Sequence, residues 1–336
     1  MSAPQAQLEV LPRSVNVLLG LAVMALAAVP FFGAEYTMGL ISSMMIMAIF
    51  AMSLDLLQGV TGLVSLGHAA FFGIAGYALA ALTPADAAAS LWWTLPAVML
   101  ITALAALVIG FFVVRTHGIY FIMVTMAFAQ MVYFIFFDNK VLFGITLGGS
   151  DGAYLNYKPH AAIFDLENKR VFFYVTLAAM VGVYLFLRRL LFSPFGRALT
   201  GIRANEHRMR ALGFATFSHK LAAFTLAGAL AGLAGYLWAA QTGFVNPELM
   251  GFHMSAHAIM MVILGGMGNF AGAALGAFAF EYLLHMFKDL PAIGNFQTGK
   301  HWQMWMGLFI VALVILAPRG ILGLVAKWLA KKGPSQ

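Results

Sequence analysis

The chain has 336 residues, 62% of them hydrophobic and 9% charged, with no cysteine and a formal net charge of +7. Soluble domains carry roughly 25% charged residues, and with a mean hydropathy of +0.90 this composition excludes a water-soluble fold. The apolar runs are continuous rather than alternating, which excludes a β-barrel, and the lack of cysteine excludes disulfides and thiolate chemistry. What remains is an all-α polytopic membrane protein.

Met1 to Pro12 is a short polar tail. The apolar run after Arg13 lacks a small-residue cleavage site and is long, so it reads as a span rather than a signal peptide. About ten spans near the ~20-residue length of a bilayer core are expected. They fall at about 14–32, 38–57, 63–82, 92–114, 118–137, 171–190, 219–240, 253–270, 272–287 and 303–318, the ninth being short. With the N-terminus in the cytosol, Arg13, Arg115, Arg188, Arg189, Arg197, Arg203, Arg208, Arg210, Lys220, Arg319, Lys327, Lys331 and Lys332 fall inside. Glu35, Asp86, Asp138, Asp151, Asp165, Glu167, Glu248 and Asp289 fall outside. This positive-inside bias places both termini and the 193–213 loop in the cytosol. It also explains the net charge without nucleic acid.

Gly59 to Tyr77, GVTGLVSLGHAAFFGIAGY, is dense in glycine for a helix interior, where each costs about 0.5–1 kcal/mol relative to alanine. Either close helix packing or a broken helix lining a mid-membrane cavity explains that density. Gln58, Thr61, Ser65 and His68 supply polar groups at the same place. Asp138 to Arg170 is the longest outer segment and contains TLGGSDG, a flexible turn.

Ser193 to Gly213, SPFGRALTGIRANEHRMRALG, is the long polar run between apolar blocks. It predicts one short helix, with Ser193 as N-cap, Pro194 at the first helical position and Gly213 as the stop. Phe195, Leu199, Ile202 and Met209 form its apolar stripe. From charge and periodicity, three readings stand: a topogenic loop, a helix on the lipid surface, or a docking element for a cytosolic partner. In the next span Gly228 and Gly232 form a GxxxG pair, expected at a close helix contact. Gly265 to Gly276, GGMGNFAGAALG, predicts a sharp hairpin or interrupted helix with Asn269 at the turn.

Signals for chemistry are few. GNFQTGK at 294–300 starts like a phosphate-binding loop, but His301 replaces the Ser/Thr, and no strand precedes it. His253 and His257 have metal-capable spacing but no evident third ligand, so no metal is expected. Asp55 and Glu281 are intramembrane ionisable residues, costly in hydrocarbon and so turned to protein or water. They are the main support for a rival reading, a proton- or sodium-coupled secondary transporter. A membrane-embedded enzyme is a third reading, without a catalytic constellation to support it.

The four stretches Gly59–Tyr77, Thr146–Gly152, Ser193–Phe214 and Gly265–Gly276 resemble, in order, the permease family of branched-chain amino acid ABC importers, M-type subunit. The resemblance covers about Leu54 to Ile321. It implies a single transmembrane permease domain over 1–336, with cytosolic tails at 1–13 and 325–336, a cytosolic coupling loop at 193–213 and an outer loop at 138–170. It implies that Arg197, Arg203, Glu206, His207, Arg208 and Gly213 seat in a groove of the ATPase, although His207 and Arg208 stand where the general motif carries alanines. Gln58, Ser65, His68, Asn269 and Glu281 are the implied pathway residues. Gly148, Gly149, Asp151 and Gly152 would contact a binding protein or gate the entrance. The implied partners are a second related permease subunit, two cytosolic ABC ATPases, an extracytoplasmic solute-binding protein and the lipid bilayer. The implied setting is a bacterial inner membrane. No cofactor belongs to this chain, since ATP is used by the partner subunits, and the chain is not an enzyme. Branched-chain or other neutral amino acids are the family-level substrate, with urea, amides or aromatic acids as the alternative.

Overall fold

The computed structural model describes residues 13–84, 87–142, 145–155, 157–161, 166–289, 298–316 and 320–324. The tail at 1–12, the tail at 325–336 and residues 294–297 of the GNFQTGK stretch lie outside the described residues.

The architecture is helical throughout. In chain order the helices are α1 (Arg13–Phe32), α2 (Glu35–Asp55), α3 (Ala69–Leu82), α4 (Leu91–Val113), α5 (Ile119–Asp138) and α6 (Lys169–Phe192). They continue with α7 (Pro194–Ala204), α8 (Glu206–Ala211), α9 (Thr216–Thr242), α10 (Phe252–Gly265), α11 (Phe270–Lys288) and α12 (Trp302–Leu316). Among the described residues, four two-residue strands accompany them: β1 (Val141–Leu142), β2 (Ile145–Thr146), β3 (Ala153–Tyr154) and β4 (Phe244–Val245). Six helical segments among the described residues are long and apolar enough to cross a membrane: Glu35–Thr61, α4, α5, α6, α9 and α11. Val17–Phe32, α3 and α10 are shorter apolar helices.

α2 and α9 form the centre. α2 is buried continuously from Met44 to Asp55, as expected of a helix that is apolar all round. The two run in opposite directions. The Gln241 side chain, near the end of α9, donates to the Gly39 carbonyl (2.8 Å) and the Ser43 hydroxyl (3.0 Å), near the start of α2. Glycines on α9 set its distances to two neighbours. A methyl at Gly228 would overlap Ala106 of α4, one at Gly232 would overlap Thr102, and one at Gly235 would overlap the Phe72 carbonyl of α3. The GxxxG pair therefore marks a close crossing. The Thr94 and Tyr236 hydroxyls close the α4–α9 contact at 2.8 Å.

The packing is also paired. α9 packs on α3 and α4, while α2 packs on α10 and α11. Since α2 and α9 run oppositely, this is the pattern of an inverted-topology repeat. The short helices α3 and α10 hold matching places in it. Each is entered through a break in the α-helical run, an irregular stretch at 62–68 before α3 and, before α10, the 243–251 stretch that holds β4 and a 3-10 turn at Pro247–Met250.

Several element bounds differ from the sequence reading. The second expected span continues past Asp55 as a π-helical turn, Leu56–Thr61. The third expected span, 63–82, is helical only from Ala69, because residues 62–68 fold back irregularly into the bundle. The 253–287 region is a hairpin whose arms meet at a Gly266–Asn269 turn, with Gly266 (φ 113°) and Gly268 (φ 88°) in conformations that only glycine adopts readily. Around the outside, Leu100, Leu104 and Val108 of α4 and Leu308, Val311 and Ile315 of α12 are exposed. Such a surface belongs in hydrocarbon.

Candidate functional site

At one end of the bundle, the 193–213 loop folds as two short helices rather than the single one expected. Ser193 caps α7, its hydroxyl accepting from the Gly196 amide (3.3 Å), with Pro194 next in the helix. Gly196 has no room for a side chain because the Leu190 and Leu191 carbonyls of the α6–α7 corner crowd it. Leu199 and Ile202 are buried against the bundle. The helix breaks at Asn205, which is extended (φ −161°), and its side chain accepts from the Arg208 amide (2.9 Å) to cap α8. This is the physical reason for two helices: asparagine competes with the helix and caps the next one. Met209 then packs on Gly201, and Gly213 turns left-handed (φ 86°) to end the loop. Arg197, His207, Arg208, Leu212 and Gly213 face outward, Leu212 with 66% of its surface exposed.

Glu206 does not join that outward face. Its carboxylate receives Lys220 (2.5 Å), Arg210 (2.6 Å) and the Thr216 hydroxyl (3.2 Å), with His117 of the α4–α5 turn at 3.4 Å. Partial burial works against its charged form, yet the hydrogen bonds and charges of Lys220 and Arg210 outweigh this and bring its pKa down to about 2. Glu206 thus anchors α8 to the start of α9. The sequence reading missed Lys220, Thr216 and His117 as its partners. Arg203 is exposed along the loop, yet its guanidinium reaches the Gly59 carbonyl of the π-helical turn and donates to it.

The residues expected along a pathway do not gather in one place. Gln58, Ser65 and His68 are buried around the break before α3. There the irregular backbone is satisfied by Ser65 together with Thr125 and Ser255. The Ser65 hydroxyl accepts from the Gly67 amide (3.3 Å), Thr125 from Leu66 (3.3 Å) and Ser255 from Ala69 (3.0 Å). The Ser53 hydroxyl donates to the Phe50 carbonyl (2.7 Å), so at 2.8 Å it accepts from His68 Nε2, which fixes the tautomer. The Gln58 amide meets the Met267 sulfur (3.2 Å). Asn269 caps α11, accepting from the Ala271 (3.0 Å) and Gly272 (3.3 Å) amides. Glu281 is half-buried on α11, about 18 Å along the helix axis from Asn269 at 1.5 Å per residue. Asp55 is turned to protein: it is fully buried and accepts from the Gly268 amide (2.9 Å). Thr125, Ser53 and Ser255 carry no neighbouring-glycine signal, since no glycine lies within three residues of any of them in the sequence.

At the opposite end, Gly148, Gly149 and Gly152 all have positive φ (77°, 59° and 77°) around a 3-10 turn, with Asp151 exposed on it. Directly after it, β3 pairs antiparallel with β4, Ala153 opposite Val245 and Tyr154 opposite Phe244. The outer loop is thereby tied to the segment entering α10. That segment in turn seats Met250 against Gly73 and Val245 against Gly76 of α3.

Among the described residues, no group of three or more His, Cys, Asp or Glu is placed to hold a metal ion. A bundle of apolar helices, two of them entered through breaks inside it, with a capped basic loop at one end, has the build of a polytopic membrane permease. The model for the permease component of branched-chain amino acid transport systems matches residues 36–318. The chain is 30% identical to the high-affinity branched-chain amino acid transport permease LivM of Salmonella typhimurium LT2, over 91% of this chain and 74% of the relative. Identity to LivM of Escherichia coli K12 is also 30%, with the same coverage. A shorter likeness, 37% identity over 37% of this chain and 35% of the relative, links it to the autoinducer 2 import permease LsrC of Klebsiella pneumoniae. No solved structure matches the chain. The chain belongs to the branched-chain amino acid transport permease family, whose members are transport subunits and not enzymes.

Proposed function

We infer that the chain is a permease subunit of an ABC importer for branched-chain or other neutral amino acids, working in a bacterial inner membrane. About ten spans, with both termini and the 193–213 loop in the cytosol, complete the reading. A second related permease forms the rest of the pathway, two ATPases dock on the cytosolic loops, and a solute-binding protein meets the outer face at Asp151 and its glycine turn.

The observation that carries this reading is the two-helix loop, on which Arg197, His207, Arg208, Leu212 and Gly213 are all exposed. The loop thus combines exposed charge with an exposed apolar side chain, as a docking surface does. Glu206 contributes by holding the shape of the loop, because its charge is already met within the chain. The 62–68 and 243–251 breaks are where alternating access would operate, with Gln58, Ser65, His68 and Asn269 at or beside the moving backbone and Glu281 further along α11.

The test is co-purification from cells expressing the cognate ATPases. Wild-type chain brings an ATPase with it, and Arg208→Glu with Leu212→Asp, both exposed, loses it. Purified complex with binding protein and ATP then accumulates leucine in proteoliposomes. Accumulation by this chain alone on a proton or sodium gradient would instead support a secondary transporter.

A further inference from the structure

The arginines of the 193–213 loop do not share one role. Arg203 stands in the last turn of α7 and is exposed, yet its guanidinium reaches across to the end of α2 and donates to the carbonyl of Gly59. That carbonyl sits in the π-helical turn that ends α2. The helix stops there, and the Gly62 and Leu63 amides both return to the Leu57 carbonyl rather than to Gly59. Arg203 therefore supplies a donor to a helix terminus that has run out of its own.

The contact is shaped on every side. The Arg203 stem lies over Gly62, where a Cβ would stand 3.0 Å from its Cγ, and Gly62 is left-handed (φ 80°). The guanidinium also passes 3.7 Å from the position of a Cβ at Gly268, in the α10–α11 turn. Gly268 in turn gives its amide to Asp55 (2.9 Å), and Gly59 has no room for a side chain because the Asp55 carboxylate and the Gly268 backbone press on it. Three segments far apart in sequence meet here: the end of α2, the α10–α11 turn and the loop helix. Both membrane elements at the junction belong to the paired, broken halves of the bundle. A π-turn holds a surplus residue and is a natural hinge. Arginine suits the position because its rigid planar fork reaches past its own stem and stays charged.

The geometry points to Arg203 as a positioning residue: it passes displacement of the 193–213 loop to the α2 π-turn and, through the Gly59–Gly268–Asp55 contact, to the α10–α11 turn. This rests on the permease reading above, and it gives Arg203 a task distinct from docking.

The experiment compares wild type, Arg203→Lys and Arg203→Ala in the complete transporter reconstituted with its ATPases and binding protein. The readouts are ATPase co-purification and solute transported per ATP hydrolysed. Hydrogen exchange at residues 56–63 and 266–269 is measured on the isolated permease chain. The expected result is that the ATPase still co-purifies with Arg203→Ala while solute per ATP falls at least tenfold. Arg203→Lys recovers part of the ratio, and exchange in Arg203→Ala rises at both segments together. An unchanged ratio overturns the proposal, as does unchanged exchange at either segment. Loss of the ATPase from Arg203→Ala also overturns it, by making Arg203 a docking residue. If wild type recovers no ATPase, the permease reading fails, and the exchange measurement still decides whether Arg203 holds the junction.

Discussion

Replacing Glu206 with glutamine isolates the anchor of the 193–213 loop. The change keeps the size of the side chain and removes its charge. Arg210 is half exposed (53%) and lies four residues away on the same turn, so its pair contributes only about 0.3–0.5 kcal/mol. Lys220 is different. Its side chain is only 5% exposed, and its ammonium at 2.5 Å makes the kind of hydrogen bond to a charged group that contributes about 1.5–3 kcal/mol. The variant leaves that ammonium buried without a counter-charge. A loss of about 2 kcal/mol in holding α8 to α9 follows, which is roughly 30-fold in an opening equilibrium at about 1.4 kcal/mol per tenfold. Hydrogen exchange over residues 205–216, corrected for intrinsic rates, reads this as about 30-fold faster exchange. The pH dependence has a definite sign. The folded pKa of about 2 lies below the ordinary value of 4.5, so the stabilisation is fully present above about pH 4.5. It is lost as pH falls toward 2, and there wild type approaches the variant. Adding Lys220→Met to Glu206→Gln removes the orphaned charge and restores part of the protection, because removing both partners costs less than removing one. Exchange equal to wild type in the single variant, or no recovery in the double variant, would refute the reasoning.

Three further outcomes follow from the same geometry. Gly235→Ala forces a methyl onto the Phe72 carbonyl and should destabilise by about 1–3 kcal/mol, whereas Gly182→Ala meets no atom within 4 Å and should gain about 0.5–1 kcal/mol; equal melting temperatures in detergent would contradict both. Asn205→Ala removes the α8 cap at a cost of about 1 kcal/mol, seen as faster exchange of the Arg208 amide but not of α7. Gly152→Val places a branched residue at φ 77° against the Val245 carbonyl, so the β3–β4 pairing should open, and protection at the Leu155 amide, now bonded to Gly243 at 2.8 Å, should be lost.

Much of the fold was legible because a bilayer leaves few choices. Backbone groups in hydrocarbon must be paired within the chain, so long apolar runs become helices and polar or glycine-rich gaps become turns. The Asn269 turn and the Gly228–Gly232 crossing both followed from that logic, since glycine is tolerated mid-helix mainly where a neighbour must come close. Helix continuity was harder to read. Residues 62–68, GLVSLGH, carry glycines that fit either close packing or a broken helix, and nothing local decides between the two. They leave the helix because Thr125 and Ser255, far away in sequence, offer hydroxyl acceptors to the Leu66 and Ala69 amides, and Ser65 another to Gly67.

The loop that faces the partner shows the same limit in its charges. Glu206 among several arginines reads, in one dimension, as the acidic member of a docking motif. In the folded chain its nearest cation is Lys220, fourteen residues on and almost buried, and that pairing turns the acid from a surface feature into an internal tether. Arg203 and Arg208 are equally basic and only five residues apart. The first lies at the end of α7 within reach of an orphaned carbonyl on α2, while the second follows the Asn205 break and points outward. Helical periodicity already sets them on different faces, and the break adds the aim of the second. An unbroken helix from 194 to 211 would set them 500° apart at 100° per residue, hence about 140° around the axis, but would leave α8 without the cap and the Met209–Gly201 contact that aim its basic face. Asn205, a residue with no charge and no obvious place in any motif, therefore sets how α8 and its basic residues are aimed, while Arg203 before it reaches the membrane helices.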